Sequence, residues 1–203
     1  VIIGLCGLIG SGKGTVAEHL MREHSFIGIS FAETLKDAAA CIFGWDRDML
    51  EGDTTESRYE REQIDAWWTD RLGWEVSPRK MLQFFGTEVM RDNLDSHIWA
   101  HATEKRMLDT EKLFLEMTGQ KPHFVISDVR FPNEIDMIRR NGGKIWHVRR
   151  GPLPDWFGKD DPSIHESERA WNREPMDAAI HNDGTIEQMC GTADVILDSY
   201  LKR

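Results

Sequence analysis

Continuous apolar runs alternate along this chain with stretches of helical spacing. Residues 1–6, Val-Ile-Ile-Gly-Leu-Cys, carry no charge and predict a strand buried on both faces. Residues 14–24 predict a helix, 26–31 a second short strand and 32–43 another helix. Residues 46–70 change character. They are acidic, contain Arg47, Arg58 and Arg61, end in Trp67-Trp68, and predict an inserted, partly exposed helical segment. Ser77-Pro78 makes a good helix start, with Ser as N-cap and Pro in the first turn, and this helix should run to about residue 93. A further helix is expected over 96–117, ending at Gly119. Residues 123–128 form an apolar strand that ends on the carboxylate of Asp128. A helix at 133–141, stopped by Gly142-Gly143, leads to a strand at 144–148. Residues 149–175, rich in Pro, Gly, Asp and Arg, predict a mobile loop. A last strand at 176–180, a turn at 181–185 and a C-terminal helix complete the pattern. Strands alternating with helices predict an α/β fold in three layers, a mostly parallel sheet flanked by helices. Its ligand site should lie at the C-terminal edge of the strands.

The first strand runs directly into Gly7-Leu8-Ile9-Gly10-Ser11-Gly12-Lys13-Gly14-Thr15. Gly, four residues, then Gly-Lys is the spacing of a phosphate-binding loop. Glycines let successive backbone N–H groups curl around a phosphate where a side chain would block the approach. The helix that follows adds the positive end of its dipole. Lys13 supplies a mobile cation for a transferring phosphoryl group. Gly10, Ser11, Gly12, Lys13, Gly14 and Thr15 are therefore the expected nucleotide-phosphate contacts. In many such loops Ser or Thr follows the lysine and binds Mg²⁺. Here Gly14 intervenes, and the Gly-Lys-Gly-Thr ending is familiar from nucleoside-monophosphate kinases. Metal would then be held mainly by nucleotide, water and a carboxylate. The chain has no Asn-Lys-x-Asp guanine-reading motif. Both features favour a small-molecule kinase over a switch GTPase.

Length and charge narrow this further. At 203 residues the chain is expected to be one domain, 1–203, with a small insertion or lid. It has no apolar run of the ~20 residues that a membrane span requires, and its apolar start is too short for a signal peptide. Three cysteines, Cys6, Cys41 and Cys190, lack ligand spacing, so a reducing cytoplasm is expected. A net charge of −10 argues against a nucleic-acid polymer as partner. Phosphate substrates would demand positive charge concentrated in one cleft.

Several residues could meet that demand. Asp128, at a strand end, could orient metal-bound water or accept a substrate proton, although a strand-end turn or N-cap uses aspartate equally well. Arg130 could clamp a phosphate in bidentate fashion or form a surface ion pair. Arg79, Lys80, Gln83 and Thr87 share much of one helical face, with Arg91 a turn further on. Their helix carries Met81, Leu82, Phe84, Phe85 and Val89, so its polar face should border a cleft. Arg149-Arg150 opens the loop that could close over nucleotide phosphates. Trp99 could stack on a base or fill the core. His97 and His101 are one turn apart, but the protease-type glutamate and a third ligand are missing, so this pair is not read as a metal site.

Taken together these motifs resemble the deoxynucleoside-monophosphate kinases of bacteriophages and their bacterial relatives. Phe31-Ala32-Glu33-Thr34-Leu35-Lys36-Asp37 is similar to the family's segment after the second strand. Residues 77–88, Ser-Pro-Arg-Lys-Met-Leu-Gln-Phe-Phe-Gly-Thr-Glu, resemble its Arg-basic-Leu-x-Gln-x-x-Gly-Thr helix, and Trp99 matches the aromatic that follows. Residues 127–134 resemble its Asp-x-Arg-x-x-x-Glu motif, His165-Glu166-Ser167-Glu168 its lid motif, and Asn182-Asp183-Gly184-Thr185 its turn near the donor base. Gly14 departs from members that carry Asp after the loop lysine.

The resemblance implies a P-loop kinase fold with core 1–45, 120–150 and 176–203, a helical acceptor-binding insertion at 46–118 and a lid loop at 149–175. It implies transfer of the ATP γ-phosphoryl group to a dNMP. Lys13, Arg79, Asp128 and Arg130 would be catalytic. Arg149, Asn182, Gly184 and Thr185 would join the loop in binding ATP. Lys36, Arg79, Lys80, Gln83, Gly86, Thr87, Trp99, Arg130, Glu134, His165 and Glu168 would bind the dNMP. Thr15 and Asp128 would hold Mg²⁺ through water. A homodimer is compatible with the family. The rivals are a kinase for another small acceptor, such as dephospho-coenzyme A, and a non-catalytic ATP-dependent regulator.

Overall fold

Among the described residues five apolar runs become strands: β1 (Ile2–Cys6), β2 (Phe26–Ile29), β3 (His123–Ile126), β4 (Lys144–Arg149) and β5 (Ala178–His181). The structure is a computed structural model and describes residues 1–159, 163–164 and 166–201. The strands pair in parallel in the order β2-β3-β1-β4-β5. Between them run α1 (Lys13–His24), α2 (Phe31–Phe43), α3 (Arg47–Glu51), α4 (Thr55–Glu60), α5 (Ala66–Leu72), α6 (Pro78–Phe84) and α7 (Ile98–Thr118). They are followed by α8 (Pro132–Arg140), α9 (Glu166–Arg169) and α10 (Ile186–Leu201). The chain forms two compact units, residues 1–30 with 103–203, and residues 31–102.

The first unit holds the sheet. Period-2 alternation sends Ile3 and Leu5 of β1, Val125 of β3 and Trp146 and Val148 of β4 to one face. There they pack against Val16, Ala17 and Leu20 of α1 and Met189, Ala193 and Leu197 of α10. Trp146, Leu5 and Leu20 are fully buried, and each such side chain contributes roughly 1.5–3 kcal/mol through removal from water. The opposite face meets α8. Gly4 sits where a side chain would strike Ile138, since a Cβ there would lie 2.6 Å from Ile138 Cδ1. Helices on both faces of a parallel sheet give the expected three-layer α/β architecture. β1 lies between β3 and β4 at the switch in strand order, the point where such sheets bind ligands.

In the second unit residues 46–72 form three short helices. The breaks have local causes. Asp46, Thr54 and Asp65 each cap a helix by accepting a backbone N–H, from Met49, Ser57 and Trp68. Gly52 and Gly73 end α3 and α5 in the left-handed region, at φ 68° and 74°. An aromatic cluster holds the pieces. Phe43 stacks on Trp45 at 4.7 Å and meets the edge of Trp68 at 5.0 Å. Trp45 Nε1 donates to Asp65 at 2.8 Å and Trp68 Nε1 to the Phe43 carbonyl at 2.9 Å.

The helix expected over 77–93 begins on the Ser77 cap as α6 but widens into a π-helical turn at Phe85–Arg91. Gly86, in its first turn, lies against Leu35, where a Cβ would approach Cδ2 to 2.8 Å. The Gly86 carbonyl accepts from Trp99 Nε1 at 2.9 Å, and Trp99 is 7% exposed. Trp99→Phe keeps the bulk but strands a buried carbonyl, which costs about 1–3 kcal/mol. Urea unfolding followed by circular dichroism should show this loss. An unchanged midpoint would mean that the indole hydrogen bond does not hold the turn.

Candidate functional site

β1 ends at Cys6 and the chain turns at once, because Gly7 lies hard against β4. A Cβ on Gly7 would come within 2.2 Å of the Val148 carbonyl oxygen, and its φ is 153°. Gly10 and Gly12 follow at φ 76° and 103°, values that L side chains rarely adopt. A Cβ on Gly12 would lie 2.7 Å from Asn182 Nδ2 and 3.0 Å from Met189 Sδ. The Ser11 N–H closes the loop onto the Leu8 carbonyl at 3.1 Å, and α1 starts at Lys13. Ser11 is buried, Thr15 half-buried, and Gly14 faces open space.

Lys13 Nζ donates to the carbonyls of Gly7 at 2.7 Å and Leu8 at 3.0 Å, which arches the ammonium over the loop. Burial lowers its pKa below the ordinary lysine value, and Arg130 nearby lowers it further. Lys13 and Arg130 line the same small cleft with Asp128, Glu168 and Trp171. Two cations and two carboxylates thus face one another at the ends of the strands.

The far wall comes from the turn after β3. Asp128 Oδ2 accepts from Ser30 Oγ at 2.7 Å, joining the C-terminal ends of neighbouring strands. Arg130 is positioned through its backbone. Glu134, 3% exposed, accepts from the N–H of Arg130 at 2.7 Å and of Phe131 at 3.0 Å. The Arg130 guanidinium donates to Ser167 Oγ at 3.4 Å and Glu168 at 3.3 Å. Segment 149–175 is thereby connected to the strand edge. Its return to the sheet is also held by Arg139, which pairs with Glu174 at 3.2 Å and donates to the Pro175 carbonyl.

The turn at 182–185 supports the loop from the other side. Asn182 Nδ2 donates to the Ser11 carbonyl at 3.0 Å, and Asp183 accepts from Gly151 N at 2.7 Å. Thr185 caps α10 reciprocally with Gln188, and Gly184 leaves room for the Gln188 side chain. Arg149 Nε donates to His181 Nδ1 at 3.1 Å.

The remaining expected residues lie in the second unit. Lys36 is paired with Glu51, Arg79 with Glu62 at 2.7 Å and Lys80 with Glu75 at 2.6 Å. Gln83 is exposed, Thr87 half-buried, and Gly86 and Trp99 are buried against each other. His165 falls outside the described residues. Sequence reasoning missed Ser30 and Trp171. Ser30 ends one apolar run as Asp128 ends its neighbour, and that parallel was the available signal.

Trp171, 1% exposed, also explains how the segment is seated. It meets the edge of His147 at 5.2 Å, and Phe157 stacks on the same imidazole at 5.6 Å with an interplanar angle of 4°. Burial, helped by Arg149, pulls the His147 pKa down to about 4 from 6.5.

A glycine loop closed on lysine, at the switch point of a parallel sheet, with an arginine and a carboxylate across a small cavity, defines a nucleotide-dependent phosphotransferase. The profile of the deoxynucleotide monophosphate kinase family matches residues 51–192, and the chain belongs to that family. It is 32% identical over 197 residues to a protein of Acanthamoeba polyphaga mimivirus provisionally named a deoxynucleotide monophosphate kinase, covering 93% of this chain and 91% of that one. The deoxynucleotide monophosphate kinase of Enterobacteria phage T4 is 25% identical over 113 residues, 56% of this chain and 42% of its own length. Among solved structures, shikimate kinase from Aquifex aeolicus superposes with a TM-score of 0.44 at 12% identity, covering 99% of this chain and 98% of that one.

The depressed His147 pKa has a consequence for stability. Between its folded value near 4 and the unfolded value near 6.5 the unfolded chain binds the extra proton. Stability is therefore complete above pH 6.5 and is lost as pH falls toward 4. The loss specific to His147 should be about 1–3 kcal/mol. Comparing wild type with His147→Gln by urea unfolding at pH 7 and pH 4.5 isolates it. The variant should lose less on acidification, and equal losses would rule out His147 as the source.

Proposed function

We propose that the chain transfers the γ-phosphoryl group of ATP to the 5′-phosphate of a deoxynucleoside monophosphate. An acceptor phosphate oxygen attacks the γ-phosphorus and the bond to the β–γ bridging oxygen breaks, giving a dNDP and ADP. The cavity that Lys13 shares with Arg130 and Asp128 supports this reading most directly, in a chain of this family. Two anionic substrates must approach each other, so catalysis is positioning plus neutralisation of charge. The acceptor phosphate is already ionised at neutral pH, which makes a strong base unnecessary.

Roles follow from what each side chain touches. The N–H groups of 10–15 and the Lys13 ammonium bind the ATP phosphates, with Arg149 and the 182–185 turn on the donor side. Arg130 bridges the phosphates during transfer and exchanges its contact with Glu168 for them. Lys36, Arg79, Lys80, Gln83 and Thr87 bind the acceptor. The carboxylates now paired with the three cations among them are half-exposed or exposed, and such pairs are weak enough for a phosphate to displace. Glu134 positions Arg130 and Trp99 positions Gly86, each by a hydrogen bond to backbone. Mg²⁺ suits the hard oxygen donors here, the Asp128 carboxylate and the Thr15 hydroxyl, and when bound would neutralise phosphate charge. Segment 149–175 would act as a lid that keeps water from the γ-phosphate, in a cytoplasmic enzyme.

A coupled ADP-release assay with a panel of dNMPs, NMPs, shikimate and dephospho-coenzyme A tests the reading. Turnover should depend on a dNMP. Dependence on another acceptor, or nucleotide binding without turnover, would contradict it. Lys13→Ala should lower turnover by at least ~10²-fold. Arg79→Ala should raise KM for the dNMP far more than for ATP, whereas Arg130→Ala should depress kcat. A selective loss of ATP affinity in Arg79→Ala would reverse the assignment of sides.

A further inference from the structure

At the far end of α1 from the phosphate loop, three donor atoms converge that the kinase reaction does not use. His19 Nε2 lies 2.6 Å, and His24 Nε2 2.7 Å, from the same oxygen, Oδ1 of Asp194 on α10. The rings stand nearly edge-on, 73° apart with centroids at 5.7 Å, and both nitrogens approach the same carboxylate oxygen. All three donor atoms lie within 4.8 Å of one another. His19 and His24 are largely shielded, at 12% and 27% side-chain exposure, while Asp194 at 42% keeps one side open to water.

The geometry points to a transition-metal site, formed by His19, His24 and Asp194, that takes Zn²⁺ or a similar imidazole-preferring divalent ion. Two imidazoles and a carboxylate with one position open to water is a donor set that zinc uses. Mg²⁺ prefers all-oxygen shells, so this site and the phosphate cavity would select different ions. Tetrahedral ligands about 2.1 Å from zinc are about 3.4 Å apart, so the cluster needs to open by less than 1 Å, a change within reach of side-chain rotation.

Such an ion would clip α1 to α10. Each helix begins at a piece of the nucleotide site, α1 at Lys13 and α10 just after the Asn182 turn that holds Ser11. Binding would stiffen the donor half without touching substrate.

The test titrates ZnCl₂ into the protein in saturating Mg²⁺, by calorimetry, with CoCl₂ as a spectroscopic probe. One equivalent should bind, and Co²⁺ should develop the visible band of a tetrahedral site with imidazole ligands. Zinc at a hundredfold excess over its Kd should raise the melting temperature by about 5–10 °C. His24→Ala and Asp194→Asn should each weaken binding by at least the ~10–100-fold that loss of a supporting partner alone costs, and leave kinase turnover in Mg²⁺ unchanged. His97→Ala, in the other close histidine pair, should bind zinc as wild type does. Equal zinc affinity in wild type and His24→Ala, or a loss confined to His97→Ala, would overturn the proposal. So would absence of a one-equivalent site in wild type, which would leave the cluster as a hydrogen-bonded staple. Should His24→Ala fail to fold, Asp194→Asn and the Co²⁺ spectrum of wild type decide.

Discussion

The site depends on how closely Gly7 approaches the Val148 carbonyl. No side chain fits there, and because none is present β1 can turn sharply into the loop while staying paired with β4. The close approach fixes where α1 begins, hence where Lys13 stands. It also brings the loop to the strand ends that carry Asp128 and Arg130. The Asn182 side chain then fixes the outer side of the loop through the Ser11 carbonyl. Backbone fit comes first and charge placement follows from it.

That placement sets two cations beside two carboxylates at the strand ends. Lys13 and Arg130 share a small cleft with Asp128 and Glu168 in a protein of net charge −10. Glu168 and Asp128 balance the two cations in formal charge, and Glu134 accepts from the backbone N–H groups of Arg130 and Phe131. The same residue types serve structural ends elsewhere: Arg139 anchors the return of segment 149–175, and His147 is kept neutral between two aromatic rings.

The sheet, the loop and the strand-end pair Asp128 and Arg130 were legible because each rests on local signals: apolar runs, glycines at fixed spacing, a carboxylate ending a strand. The three-way break of 46–70 was legible in principle, since Asp46, Thr54 and Asp65 are capping residues and Gly52 and Gly73 are helix stops. The π-helical turn was not legible. It accompanies a buried indole, Trp99, donating to a carbonyl thirteen positions earlier, and no propensity encodes that. The seating of Trp171 on His147 and the convergence of His19 and His24 on Asp194, 175 and 170 positions away, are tertiary facts with no periodic trace.

The most direct test of the central claim follows Lys13 itself. With the lysine side chains ¹³C-labelled, the Lys13 Cε resonance, assigned through Lys13→Arg, can be titrated with and without ATP. Crowding by burial and Arg130 predicts a pKa below the ordinary lysine value in the free protein, and phosphate charge predicts that ATP raises it. An ordinary value that ATP leaves unmoved would mean that Lys13 does not face the phosphates, and would contradict this account of the site.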